Sequence, residues 1–144
     1  MPLRLVPPIH RATHRIGLYL AALGEDGLSQ GEAHVLAQLA TPGSATVGEL
    51  HKGLAHKRST LTSMLDRLVD RSFVTREVGA SDRRTFVVTL TPAGRRVARR
   101  VHRHLMRLER IVAARVSRAD LRSFHRVLAA VEYYTAPWSG GPSR

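Results

Sequence analysis

Residues 46–91, TVGELHKGLAHKRSTLTSMLDRLVDRSFVTREVGASDRRTFVVTLT, decide the fold. Thr46 followed by Glu49 forms a capping box, in which a hydroxyl and a carboxylate three residues apart satisfy two amide donors left free at a helix start, so a helix is expected from Val47. From Arg58 to Arg71, Leu61, Leu65 and Leu68 recur at helical spacing with Met64 and Val69 beside them, while Ser59, Thr62, Ser63, Asp66, Arg67 and Asp70 fall on the other side. This predicts a second helix with one apolar face. Residues 73–78 and 85–91 are β-branched and aromatic runs. Phe86, Val88 and Leu90 alternate with Thr85, Val87 and Thr89, which predicts a two-stranded hairpin with one buried face. The loop between the strands, Gly79-Ala80-Ser81-Asp82-Arg83-Arg84, ends in two cations.

Two short helices followed by a basic-tipped hairpin is the order of parts in a winged helix-turn-helix, which sets one helix into the major groove of DNA and the hairpin against the minor groove. The exposed face of the second helix opens with Ser59, Thr60, Thr62 and Ser63, whose short hydroxyl side chains fit between base edges, and continues to Arg67. Lys57 and Arg58 precede it, within reach of phosphates. Arg83 and Arg84 suit the negative potential of a narrow minor groove, and Asp82 is placed to orient one of them by a charge-assisted hydrogen bond. Each part alone also fits an amphipathic helix with a solvated face, or a hairpin with charged ends. It is their succession that favours DNA.

The stretches ELHKGL and RSTLTSMLDRLVDRSFVTR, the Asp82-Arg83-Arg84 wing and the exit VVTLTPAGR resemble the MarR family of bacterial transcriptional regulators, with continuous agreement over about residues 28–100. The resemblance implies a homodimer, DNA contacts from Ser59, Thr60, Thr62, Ser63 and Arg67 and from the wing residue Arg84, and control of DNA affinity by a small molecule or an oxidant. Four positions depart from the family pattern: His51 stands in place of a small alanine and Ala55 in place of a turn glycine. Lys57 replaces an acidic cap, and Ser72 replaces the glycine that ends the second helix in a left-handed conformation. A lysine at a helix start opposes the helix dipole in the free protein and is well placed once a phosphate arrives, although a tolerated poor cap explains it equally.

Composition agrees. The chain has 144 residues and a formal net charge of +12. Residues 51–103 hold thirteen Lys and Arg against four acids, so +9 of that charge lies there and a polyanionic partner is expected. The basic residues are interleaved with strands and turns rather than laid along one aromatic-bearing helix, which argues against a membrane surface. The absence of cysteine excludes disulfides, Cys-based zinc sites and a thiol switch. No apolar run is long enough for a bilayer and no signal sequence stands out, so a cytoplasmic, nucleoid-associated protein is expected. No Gly-rich phosphate loop, nucleophile elbow, HExxH or paired-carboxylate pattern is present; an enzyme is not expected, nor a cofactor.

The flanks complete a mainly α fold with a small β-hairpin wing, read as one domain over residues 1–144. Residues 28–91 form the DNA-binding lobe, with a second capping box at Ser29 and Glu32. Residues 9–24 and 92–136 are expected to be dimerisation helices. Thr91-Pro92 starts a long helix to about Val116, along which Val97, Val101, Leu105, Leu108 and Val112 make one apolar stripe; Ser117 with Asp120 caps a last helix, and Pro137 ends it. The expected dimer interface holds Ile16, Leu20, Val101, Leu105, Leu108, Val112, Phe124 and Leu128. The His10/His14 and His102/His104 pairs invite a metal reading, but residues two apart do not share a helix face and no carboxylate joins either pair, so no metal site is expected. The resemblance implies a ligand cleft between the dimer helices and the DNA-binding lobe. His14, Arg15, Tyr19, His34 and His51 are the candidates to line it for an aromatic carboxylate or phenol, with simple packing of the junction as the competing reading. Two functions remain: a sequence-specific, ligand-responsive regulator, expected to act as a repressor on double-stranded DNA, and a nonspecific architectural nucleic-acid binder using the same face.

Overall fold

The computed structural model describes residues 2–24 and 27–136. These form α1 (Val6–Ala22), α2 (Gln30–Leu39), β1 (Ser44–Thr46), α3 (Val47–Leu54), α4 (Arg58–Asp70), β2 (Val74–Val78), β3 (Phe86–Leu90), α5 (Pro92–Ala113) and α6 (Arg118–Thr135). The chain divides into two compact units, Met1–His104 and Leu105–Arg144.

In the first unit, α1 begins at Val6, three residues before the expected start. Pro7 and Pro8 fall in its first turn, where a missing amide hydrogen removes no helical bond, so they open the helix rather than precede it. Both capping boxes hold: Ser29 accepts from the Glu32 amide, Thr46 accepts from the Glu49 amide, and each carboxylate returns to the cap amide. The strands form an antiparallel sheet in the order β1-β3-β2, with Ser44 opposite Thr89 and Val78 opposite Phe86. β1 was not expected, because three residues are too few to show alternation; Gly43 at φ +78° turns the chain into it.

The core joins Val35, Leu36 and Leu39 of α2, Leu50 of α3 and Leu61, Met64, Leu65 and Leu68 of α4. Val74, Val88, Leu90, Val97 and Ala98 close it. Phe86, expected on the buried face, is 47% exposed. It sits at the root of the wing, beyond the part of the sheet that the helices cover, and the Arg76 guanidinium lies 5.9 Å from its ring centroid. α5 is anchored at its start, where the Thr91 hydroxyl accepts from the Gly94 amide at 3.0 Å and donates to the Ser72 carbonyl at 2.6 Å. A Cβ on Gly94 would collide with the Phe73 carbonyl, so only glycine allows α5 this close to the end of α4.

The long apolar stripe of α5 is not all free for a partner. Val97 and Ala98 are buried and Val101 packs against the core of the same lobe. Leu20 of α1 is only 7% exposed. Leu20, expected at the dimer interface, is thus already buried in the single chain. α5 ends at Ala113, short of Val116, two residues after which α6 begins. In the second unit the Ser117–Asp120 capping box is present, none of the residues of α6 is buried, and Phe124, Val127, Tyr133 and Tyr134 are exposed. Pro137 lies outside the described residues.

Candidate nucleic-acid interface

α4 is an amphipathic helix whose inner side supplies four core residues and whose outer side stays in solvent. Lys57, Arg58, Ser59, Thr60, Thr62 and Ser63 are all exposed along its first half, as the sequence pattern requires. Its start differs from those of α2, α3 and α6. The cap residue is Lys57, which makes no side-chain capping bond, and the first turn holds no acid. Helix-start amides without an acceptor, at the positive end of a peptide dipole and beside a lysine, form an anion-receptive surface. The Thr62 hydroxyl donates to the Arg58 carbonyl at 2.9 Å and the Ser63 hydroxyl to the Ser59 carbonyl at 3.0 Å. With the protons so used, these two oxygens face outward as acceptors.

Arg67 is placed differently from its neighbours. Its Nε donates to Oε1 of Glu32 at 2.6 Å, and Oε2 of the same carboxylate accepts from the Ser29 amide at 3.4 Å. The Glu32 side chain is 5% exposed and that of Arg67 53%. One buried carboxylate thus closes the α2 cap and ties α2 to the outer helix. Sequence reading found only the cap, since the partner lies 35 residues away. On the other flank, Arg76 of β2 meets Asp66 of α4 at 3.1 Å.

Two non-glycine residues bracket α4 in the left-handed region, Ala55 at φ +52° and Ser72 at φ +59°. Both stand where sequence reading found glycine missing, and the backbone keeps the glycine-like turn regardless. After β2, the wing turn is closed by hydrogen bonds of its own. Asp82 Oδ1 accepts from the Arg84 backbone amide at 2.9 Å, the Thr85 hydroxyl donates to the Asp82 carbonyl at 2.8 Å, and the Gly79 amide donates to the Thr85 carbonyl. The expected carboxylate–guanidinium bond is therefore replaced by an Asx-type turn: Asp82 fixes the backbone at Arg84, which leaves the Arg83 and Arg84 side chains exposed.

The residues expected to converge on a ligand cleft do not all do so. A cleft of about 440 Å³ lies between α1, α2 and the end of α3, lined by Thr13, Gln30, Gly31, His34, Leu54 and His56, with Gly53 beside them. Only His34 of the five expected residues lines it. His14 and Arg15 are exposed on α1, and His51 is half-buried outside that lining. The Tyr19 hydroxyl is engaged by the His104 carbonyl at 3.3 Å, which turns it towards α5. Burial holds the His34 imidazole below its ordinary basicity, and the nearby His56 adds repulsion in the same direction. Thr13, Gln30 and His56 went unnoticed because they come from separate segments and carry no shared spacing. Among the described residues no three His, Cys, Asp or Glu side chains are grouped to hold a metal ion, and no helix is long and apolar enough to cross a membrane.

Of the remaining interface candidates, Ile16, Leu105, Leu108 and Leu128 are half-buried, and Val112 and Phe124 are about half exposed, at 49% and 53%.

Residues 28–86 match the MarR family. Solved structures share the fold over nearly the whole chain. A point mutant of MarR from E. coli complexed with operator DNA is 25% identical, with 89% of this chain and 91% of that one covered and a TM-score of 0.68. MepR from S. aureus, in a DNA complex, is 17% identical over 92% and 99% of the two chains, at a TM-score of 0.77. NadR in complex with 4-hydroxyphenylacetate is 18% identical over 91% and 97%, at 0.74. No curated protein sequence matches the chain.

Proposed function

We propose that this chain, whose residues 28–86 match the MarR family, is a transcriptional regulator of that family, a homodimeric repressor that binds a specific double-stranded DNA site in the cytoplasm. The observation that carries the reading is the outer face of α4: an uncapped start at Lys57, then Ser59, Thr60, Thr62 and Ser63 in solvent, with Arg83 and Arg84 exposed on the neighbouring hairpin. Hydroxyls read base edges in the major groove, the lysine and free amides take a phosphate, and the wing arginines enter the adjacent minor groove. Arg67, held by Glu32, contributes by fixing the helix. Solved relatives with operator DNA and with DNA support this reading.

Dimerisation rests on the uncovered apolar residues Leu108 and Val112 of α5 and Phe124 and Leu128 of α6, which a single chain leaves wholly or partly in water. A small aromatic acid or phenol in the His34 cleft releases the DNA; the polar groups of His34, His56, Gln30 and Thr13 meet its acid group, and Leu54 its ring. The complex of NadR with 4-hydroxyphenylacetate supports that ligand class.

Fluorescence anisotropy on the promoter region of the chain's own gene, against scrambled DNA at two salt concentrations, tests the function. Tighter binding to the promoter, lost when 4-hydroxyphenylacetate or salicylate is added to the parent but not to His34→Gln, is the expected result. Equal affinity for both DNAs would make the protein an architectural binder.

A further inference from the structure

We propose that a second pocket, at the base of the three-stranded sheet, binds a phosphoryl dianion. It encloses about 210 Å³ with a mostly polar wall made by the α2–β1 turn (Thr41 and Ser44), the end of β3 (Thr89) and Arg95 and Arg99 of α5. The two arginines are four residues apart and share a helix face, where like charges repel. Both are exposed, and neither guanidinium is paired with a carboxylate among the described residues. Two cations facing three hydroxyls with no acid among them lack one thing, an anion. A phosphoryl group carries nearly two negative charges and three terminal oxygens, which two guanidinium forks can grip bidentately while the hydroxyls complete the shell. A monocarboxylate would leave one cation uncompensated.

This pocket is not part of the DNA-reading face. Thr89 is three residues along β3 from Phe86, about 10 Å at the strand rise, and Arg84 lies beyond Phe86 in the wing turn. Thr91 ties the same end of the sheet to Ser72, just past the C-terminus of α4, and that terminus is roughly 16 Å along the helix from Ser59. Both spans exceed a Debye length of about 8 Å at physiological salt, so DNA on the wing and the start of α4 leaves these two charges uncompensated.

The experiment is a ³¹P NMR titration of the full chain with glycerol 3-phosphate, repeated with inorganic phosphate, at constant ionic strength set with potassium chloride. Saturable binding is expected in the parent and in R118Q/R122Q, which removes two exposed arginines of α6, and at least tenfold weaker binding in R95Q/R99Q. R99Q alone, a change at one exposed side chain, gives the same direction should the double variant fold poorly. The ratio of the two affinities tells an ester from the free anion. Non-saturating binding that is alike in all variants would reduce the site to diffuse surface charge and overturn the proposal. So would an R95Q/R99Q variant that titrates like the parent but binds DNA with a lower salt slope, since the pair would then be a contact to the DNA backbone.

Discussion

The starts of α2 and α4 lie on the same lobe and are built in opposite ways. α2 opens with a complete capping box, and Glu32 is buried while it serves both the Ser29 amide and Arg67. α4 opens on Lys57 with no capping bond and no acid in its first turn. The chain makes full caps at α2, α3 and α6; α1 also starts without a capping bond or an acid, but prolines in its first turn remove part of the need for acceptors, whereas α4 keeps its donors and sets a lysine beside them. Where a helix start has only water to meet, its donors are satisfied internally; where a phosphate is to arrive, they are left open.

Exchanging the two kinds of start breaks that contrast most sharply. Lys57→Asp supplies the missing cap and a favourable charge at the dipole, so the folded state should gain about 1 kcal/mol in chemical denaturation. The same change puts a carboxylate where a phosphate belongs in both subunits, and affinity for operator DNA should fall by on the order of 100-fold. Stability and binding must move in opposite directions. A variant that is both more stable and as tight on DNA would mean that α4 does not meet the backbone at its start.

The complementary change attacks the fully built start. Glu32→Gln preserves the capping bond to Ser29 but removes the charge that holds Arg67, and should cost about 1–2 kcal/mol of stability; the half-exposed arginine keeps the loss below that of a wholly buried pair. In a double-mutant cycle with Arg67→Gln the effects should be non-additive by at least about 0.5 kcal/mol. Both single variants should weaken operator binding with an unchanged salt slope, because the pair positions α4. A slope lowered by Arg67→Gln alone would return Arg67 to direct phosphate contact.

How far these features can be read from the sequence follows the range of the interaction. Capping boxes at Ser29, Thr46 and Ser117 are written within four residues, and all three are present. The buried side of α4 is written in a helical period and is equally plain. What escaped depends on distant partners: the second oxygen of Glu32 bonds a helix 35 residues on, β1 exists only because β3 pairs with it, and Leu20 is covered by its own chain. Phe86 shows the limit of alternation, which predicts a shared face but not how far along the strand the helices cover it. The wing turn shows another limit: charge pairing at Asp82 was read from proximity, whereas the nearest donor in a tight turn is the backbone amide.

The turns on either side of α4 sharpen the comparison at smaller scale. Ala55 and Ser72 hold left-handed backbone that an L side chain disfavours by roughly 1–2 kcal/mol. Glycine removes that strain and adds freedom to the unfolded chain, so Ala55→Gly and Ser72→Gly should each stabilise by about 0.5–1 kcal/mol. The Ser72 carbonyl that holds Thr91 belongs to the backbone and survives the change. Thermal denaturation showing a loss for Ser72→Gly would mean that its side chain, not its backbone, carries the corner.

The smallest effect expected lies at His34, two residues beyond Glu32 on α2, and it is read against pH. Burial first, and His56 second, hold its imidazole below the ordinary value, so the folded chain binds a proton there less readily than the unfolded chain, which titrates near pH 6.5. Above that pH neither state is protonated at this site and nothing is lost. As pH falls from about 6.5 towards the lowered folded value, the unfolded state takes up the proton first, and stability declines across that window; below it both states are protonated and the loss stays constant. His34→Gln should therefore lose part of the parent's fall in denaturation midpoint between pH 7.5 and 5.5. His56→Gln, by removing the neighbouring imidazole's repulsion, should lose a smaller part, since burial is the larger cause. Parallel pH profiles for the parent and His34→Gln would show that the imidazole is as free to charge in the folded lobe as in water, and the cleft that it lines would then be a wet surface groove.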